Sequence, residues 1–402
     1  MKKLVVILAA VCVLFAGVVG YMSHANRPAD ADPAEEPETS QPLDAQESAE
    51  PVQIPSVDYD AMRASHEPDE IVATCNGRDV RWDEYFYWAS YKAAQVENYI
   101  TSMVTYYGME VSWDDPWGQD TDQSFAEYVP VSAEEQIKLI NCIEDFAAEN
   151  NVVLSDETLA AMEEELKSTI ASTCGEEATE EDFNEYLDQV YMTRALYDRM
   201  SQINYLYQQG YTQLYGENGE LVDDAAAVAY LEDNEYISAN HILLMTVDSA
   251  TGEALDEETI AAQEQKAREI AAELQAIEDP QLLLDRFAEL KEEYCEDTGK
   301  VSYPDGYTFT PGTMVTEFED ACNALADYQV SDPILTSYGY HIIIRLPLDP
   351  DKTVEYSYEG TPLNARSLAA SAEYASRMDA QYEKTSFEYV PGFSFSIKDF
   401  LK

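Results

Sequence analysis

Two short apolar runs, each led by a histidine, constrain this chain more than any other feature. The first is Ile237-Ser-Ala-Asn-His-Ile-Leu-Leu244, and the second closes Pro333-Ile-Leu-Thr-Ser-Tyr-Gly-Tyr-His-Ile-Ile-Ile344. Apolar, β-branched runs this short read as strands. Between them the period is helical. Ile260, Ala267, Ile270, Leu274 and Ile277 share one face, as do Leu283, Phe287, Leu290 and Tyr294, and Val315, Phe318, Cys322 and Leu325. The order is strand, helix, helix, loop, helix, strand, strand, with a Gly/Pro loop before the third helix. Periodicity alone makes this an α+β unit. The chain has 4 histidines, and two of them stand in these bracketing strands. A lone strand histidine is usually a packed bystander. Two in matching frames at both ends of one unit point to a shared site.

Four pieces recur in a set order: His241-Ile-Leu-Leu244, then Phe287 to Asp297-Thr-Gly299, then Gly312-Thr-Met314-Val-Thr-Glu-Phe318, then Thr336-Ser-Tyr-Gly339-Tyr-His341. In that order they resemble the parvulin family of peptidyl-prolyl cis-trans isomerases. The resemblance implies a four-stranded, mostly antiparallel sheet with packed helices over residues 236–347. It implies catalytic roles for His241, Asp297, Thr336 and His341, with the two histidines hydrogen-bonded side by side. Phe309, Met314 and Phe318 would line a slot for the proline ring. No cofactor and no metal are implied. The chain departs from the family at Pro304-Asp-Gly-Tyr-Thr-Phe309, where the family typically has Gly-Gly-x-Leu-Gly. Gly306 can still supply a turn, and Tyr307 takes the place of an apolar wall. Cys295 stands where the family usually has serine and is not counted as catalytic.

The rest of the chain places this unit outside the cytoplasm. Lys2 and Lys3 precede an apolar run from Leu4 to Met22, followed by Ser23-His-Ala25. Residues 1–25 are expected to be a signal peptide or an N-terminal membrane anchor. Residues 26–68, rich in Pro, Ala, Glu and Asp, read as a disordered acidic linker. Residues 69–233 read as a helical domain behind a small hairpin turned at Asn76-Gly77. Ser132-x-x-Glu135 and Thr179-x-x-Asp182 are expected capping boxes, and Ser155 an N-cap. The run that begins at Thr179 is expected to continue as helix towards Tyr211. This layout resembles the chaperone region of PrsA/SurA-type exported foldases. Residues 348–402, with Phe387, Tyr389, Phe393, Phe395 and Phe400, are expected to pack on the helical domain, with self-association into a homodimer as the lesser reading.

Composition excludes several classes. A formal charge of −56 lacks the basic footprint of a nucleic-acid binder. The 29 tyrosines argue against disorder throughout. The 6 cysteines form no Cys-x-x-Cys pair and no zinc spacing. The acidic runs lack the spacing of a calcium loop, and no nucleotide or serine-hydrolase motif is present. The combined reading is an extracytoplasmic isomerase and foldase acting on X-Pro bonds of unfolded secreted proteins, touching the membrane only through its N-terminal segment. The alternative is a holdase chaperone whose parvulin fold binds chains without turning them over.

Overall fold

The computed structural model describes residues 55–118, 121–358 and 360–402. The expected export signal or anchor, and the linker up to residue 54, lie outside these residues. Two compact units emerge. One runs to Gln213 and takes up Tyr374–Lys402; the other is Leu214–Glu373.

The first unit contains α1 (Tyr59–Arg63), β1 (Ile71–Cys75), β2 (Arg78–Arg81), α2 (Trp82–Tyr107), α3 (Phe125–Glu149), α4 (Asp156–Cys174), α5 (Glu180–Gln189) and most of α6 (Arg194–Tyr215). Ordered structure begins before the expected linker end at Pro68. Asp58 caps α1, Met62 is fully buried, and Val57 bridges to Leu401. One capping aspartate ahead of Tyr59 and Met62 is too brief a signal to stand out from the acidic stretch before it.

Two helix limits also differ from expectation. Helix α3 starts at a capping box formed by Ser124 and Glu127, and Ser132 lies buried inside it. Pro130 sits near the start, where its missing N–H costs one helical bond. The run expected from Thr179 towards Tyr211 breaks into α5 and α6, with Tyr191 left-handed at φ 61°. The caps at Ser155 and Thr179 form as expected.

The second unit contains α7 (Asp224–Asp233), β3 (Ile237–Met245), α8 (Glu257–Gln275), α9 (Pro280–Tyr294), β4 (Tyr307–Phe309), α10 (Thr316–Ala324), β5 (Ile334–Leu335), β6 (Gly339–Leu346), β7 (Thr353–Tyr356), β8 (Pro362–Asn364) and the start of α11 (Ala365–Lys384). Its four-stranded sheet has the order β4-β3-β6-β5, every pair antiparallel. Alternation divides the sheet into two faces. Ile242, Leu244, Ile342 and Ile344 pack under α8 and α9 with Leu274, Phe287 and Leu290. Ile237, Ala239 and Ile343 face α10 with Phe309 and Phe318.

The division between units differs from the expected boundaries at 233 and 348. Helix α7 and the β7–β8 hairpin both belong with the sheet. Arg366 pairs with Asp224 and with Asp351, and Tyr236 donates to Glu355. The Arg366–Asp224 and Tyr236–Glu355 contacts join residues more than a hundred positions apart, which no local pattern announces. The last strand, β9 (Phe387–Tyr389), belongs to the first unit. It pairs with β1, placing Ala73 opposite Tyr389 and Cys75 opposite Phe387. Phe393 and Phe395 then pack around Trp82 and Tyr85.

Candidate active site

The site lies on the α10 face of the four-stranded sheet. β3 and β6 are in register with Leu243 opposite His341 and His241 opposite Ile343. The histidines are therefore diagonal neighbours on one face. Their rings meet edge-on, with centroids 5.0 Å apart and planes at 61°. The expected hydrogen bond between them is not formed: neither nitrogen of His241 nor Nδ1 of His341 has a hydrogen-bond partner among the described residues, and His341 Nε2 meets Thr336. The Phe318 ring stands edge-on to both, 5.3 Å from His241 and 5.5 Å from His341. Phe309 lies 6.0 Å from Phe318, and Met314 packs on the same cluster. Glu319 fixes the turn before α10, accepting from the N–H groups of Gly312 and Met314.

Asp297 arrives from the exit of α9. Glu296 ties that exit to β3: its N–H donates to Leu243 O at 2.9 Å, and its carboxylate accepts from Met245 N at 2.6 Å. The Asp297 carboxylate accepts from Gly299 N at 2.9 Å and from the Tyr307 hydroxyl at 2.8 Å. Its Oδ2 also lies 3.2 Å from His241 Nε2. The two form an ion pair when His241 is protonated, and neither ring nitrogen of His241 completes a hydrogen bond. His241 is the main influence holding the Asp297 carboxyl well below the usual carboxylate range, joined by the bonds from Gly299 and Tyr307 and opposed by burial. Burial first, then the neighbouring carboxylate, pushes the Tyr307 phenol up. A side chain at Gly299 would meet the Tyr307 hydroxyl at 2.1 Å, so glycine is required beneath this bond.

His341 is held by Thr336, whose Oγ1 lies 3.0 Å from Nε2. Burial, and then His241, push its pKa down to about 3. It is therefore a neutral imidazole at ordinary pH.

All the residues expected from the sequence, His241, Asp297, Thr336, His341, Phe309, Met314 and Phe318, come together here. Two contributors were missed. Tyr307 was expected only as an apolar wall, yet its hydroxyl grips Asp297. Lys291 is buried one helical turn after Phe287; a lysine within an apolar stripe was the available signal. Cys295 is buried behind β3, where its Sγ accepts from Leu243 N. Among the described residues, no cluster of His, Cys, Asp and Glu could hold a metal ion. An open surface depression of about 720 Å³ in the same unit includes Asp224, Asp351 and Arg366, but none of the groups above.

Residues 241–346 match the family model of the PPIC-type PPIase (rotamase) domain. This segment is a parvulin domain. Relatives extend the match beyond it. The chain is 47% identical over 83 residues to the foldase protein PrsA of Geobacillus sp. (strain WCH70), covering 20% of this chain and 27% of that one. It is 28% identical over 211 residues to the foldase protein PrsA of Oceanobacillus iheyensis, covering 52% of this chain and 61% of that one. These matches span less than two thirds of either relative's length. The crystal structure of PrsA from Bacillus subtilis aligns over 79% of this chain and 92% of its own, at 18% identity and a TM-score of 0.23. Among the described residues, no helix is long and apolar enough to cross a membrane.

Proposed function

We propose that the chain is an extracytoplasmic peptidyl-prolyl cis-trans isomerase and foldase acting on X-Pro bonds of unfolded exported proteins. The observation that carries this reading is the convergence of His241, His341, Asp297 and Thr336 with Phe309, Met314 and Phe318 on one face of the parvulin sheet. The apolar segment at residues 4–22 supports export, with retention as an anchor or release after cleavage, and residues 69–213 would hold clients.

The chemistry needs no bond made to the enzyme. Rotation about X-Pro breaks amide resonance, against a barrier of about 18–20 kcal/mol. Unaided, it takes roughly tens to hundreds of seconds. In the twisted state the carbonyl loses conjugation and part of its negative charge. A site that binds this state better than the planar one accelerates the rotation. Phe309, Met314 and Phe318 would hold the pyrrolidine ring away from water. The ionised Asp297, placed against the substrate carbonyl, would disfavour the polarised planar amide. Neutral His341, oriented by Thr336, offers a fixed and uncharged polar edge beside His241.

A holdase reading retains one observation in its favour. The loop Pro304-Asp-Gly-Tyr-Thr-Phe309 departs from the glycine-rich stretch that the parvulin resemblance leads one to expect. Isomerisation rates on X-Pro peptides with several residues before proline separate the two. Asp297→Ala and Met314→Ala should each lower kcat/KM by roughly 10- to 100-fold. A wild-type protein that accelerates none of the peptides, yet still suppresses client aggregation, would leave the holdase reading. Sedimentation of the purified protein tests the homodimer proposed for the C-terminal aromatic segment.

A further inference from the structure

Lys291 is the buried charge that the catalytic account leaves unused. It lies on α9, and its side chain points away from solvent under the 303–306 loop. Its ammonium has three donors, and all three are taken: Asn240 Oδ1 at 2.8 Å, Tyr303 O at 3.1 Å and Pro304 O at 2.8 Å. None of these acceptors is charged. A lysine buried among neutral groups is costly unless its bonds are complete, and burial accordingly lowers its pKa.

The acceptors belong to the two segments that assemble the site. Asn240 immediately precedes His241, and its Oδ1 also accepts from the His241 backbone N–H at 2.9 Å. Tyr303 and Pro304 open the loop that delivers Tyr307 to Asp297. The Tyr303 ring lies 4.7 Å from that of Tyr307. Gly306, at φ +84°, lets the loop descend onto β3; a side chain there would meet Ala239 O at 2.3 Å. Lys352 adds a bond to Asp305 O at the outer turn. One ammonium thus ties the strand carrying His241 to the loop carrying Tyr307. This is the stretch where the chain departs from the usual glycine-rich loop.

We propose that Lys291 is a positioning residue of the isomerase site, latching the 303–306 loop to Asn240 so that the Tyr307 hydroxyl stays on Asp297. The inference rests on the isomerase reading for its kinetic consequence, but not for its structural one.

The test uses the full chain and compares Lys291→Met, Lys291→Arg, Tyr307→Phe and the Lys291→Met/Tyr307→Phe double variant. Lys291→Met should lower kcat by roughly 10-fold or more, the scale of small misplacements in a site, with little change in KM. Lys291→Arg, which keeps the charge on a different fork, should show a smaller loss. Should Lys291→Met not fold, Lys291→Arg carries the same kinetic comparison. In the Tyr307→Phe background, Lys291→Met should add almost nothing. Losses that multiply in the double variant, or a lowered Tm with unchanged kcat, overturn the proposal. A crystal structure of Lys291→Met decides the structural claim even in a protein without isomerase activity. Loss of the Tyr307–Asp297 bond supports the latch, and its retention at 2.8 Å refutes it.

Discussion

The helical unit and the parvulin unit each bury polar side chains, and they treat them in opposite ways. In the helical unit Arg199 donates to both oxygens of Glu144 at 2.7 and 2.8 Å, and to Glu84 at 2.8 Å. Every charge in that cluster has a partner. In the parvulin unit neither nitrogen of His241 nor Nδ1 of His341 completes a hydrogen bond among the described residues, although Asp297 Oδ2 lies 3.2 Å from His241 Nε2. The helical unit also has orphans, Trp88 Nε1 and Asn204 Oδ1, but they are single atoms on different helices. The open nitrogens of the parvulin unit instead lie on adjacent rings. A buried polar group left unpaired costs stability, and the parvulin unit carries that cost at two neighbouring rings. The Arg199 cluster is internally satisfied, whereas the histidine cluster keeps the open nitrogens that the proposed isomerase site would use.

The largest effect should come from breaking the satisfied cluster. Arg199→Met leaves Glu84 without its cation and Glu144 with only the more distant Arg78, at 4.0 Å. Burial already pushes the Glu84 carboxyl up, and Arg199 is the chief influence opposing this. The cluster is half-buried, so removing its cation should cost on the order of 2–3 kcal/mol, between the exposed and fully buried cases. Denaturant unfolding should show that loss, while kcat per folded molecule stays at the wild-type value. A fall in kcat at intact stability would erase the distinction between the two clusters.

Acid should act next, and on the parvulin unit. The His341 pKa falls from 6.5 in the unfolded chain to about 3 in the fold. Between these values the unfolded chain binds the extra proton, so stability falls as pH drops. The depressed Asp297 adds to this below its unfolded value of 3.8, as pH falls towards its folded value. Both contributions weaken the unit in acid, together on the order of a few kcal/mol. His341→Gln should flatten the decline between pH 6.5 and 3 in thermal unfolding. An unchanged slope would mean that His341 is not buried as a neutral ring.

How much of this was legible in the sequence differs between the units for the same physical reason. The parvulin site could be read because its groups sit at strand starts and helix exits, where short motifs fix them: His241 on β3, His341 on β6, Met314 and Phe318 at the start of α10. What escaped was set by contacts distant in sequence. Tyr307 finds Asp297 only because β4, three residues long, pairs with Ala239. Lys291 is a latch only because the loop folds over it. In the helical unit the caps at Ser155 and Thr179 were readable as local hydrogen-bond patterns. Ser124 was passed over for Ser132 because both satisfy the same spacing, and only burial of Ser132 decides between them. The pairing of Arg366 with Asp224 and Asp351 has no local signature at all.

The smallest effect sharpens the comparison most. Among the proposed site residues, Thr336 has a hydrogen-bond contact with His341 alone. Its Oγ1 lies 3.0 Å from His341 Nε2 and accepts from Tyr338 N at 3.1 Å. Thr336→Val keeps the shape and removes both bonds. Stability should fall by about 1 kcal/mol, the usual net worth of such bonds. If the histidine pair were only packing, the change would end there. If its open nitrogens serve a ligand, the freed His341 ring will spend less time in its working orientation. In that case kcat should drop several-fold with KM nearly constant, and Thr336→Ser should restore it. Thr336→Val with wild-type kcat would place His341 with the structural polar groups, beside Arg199, and leave His241 and Asp297 as the working pair.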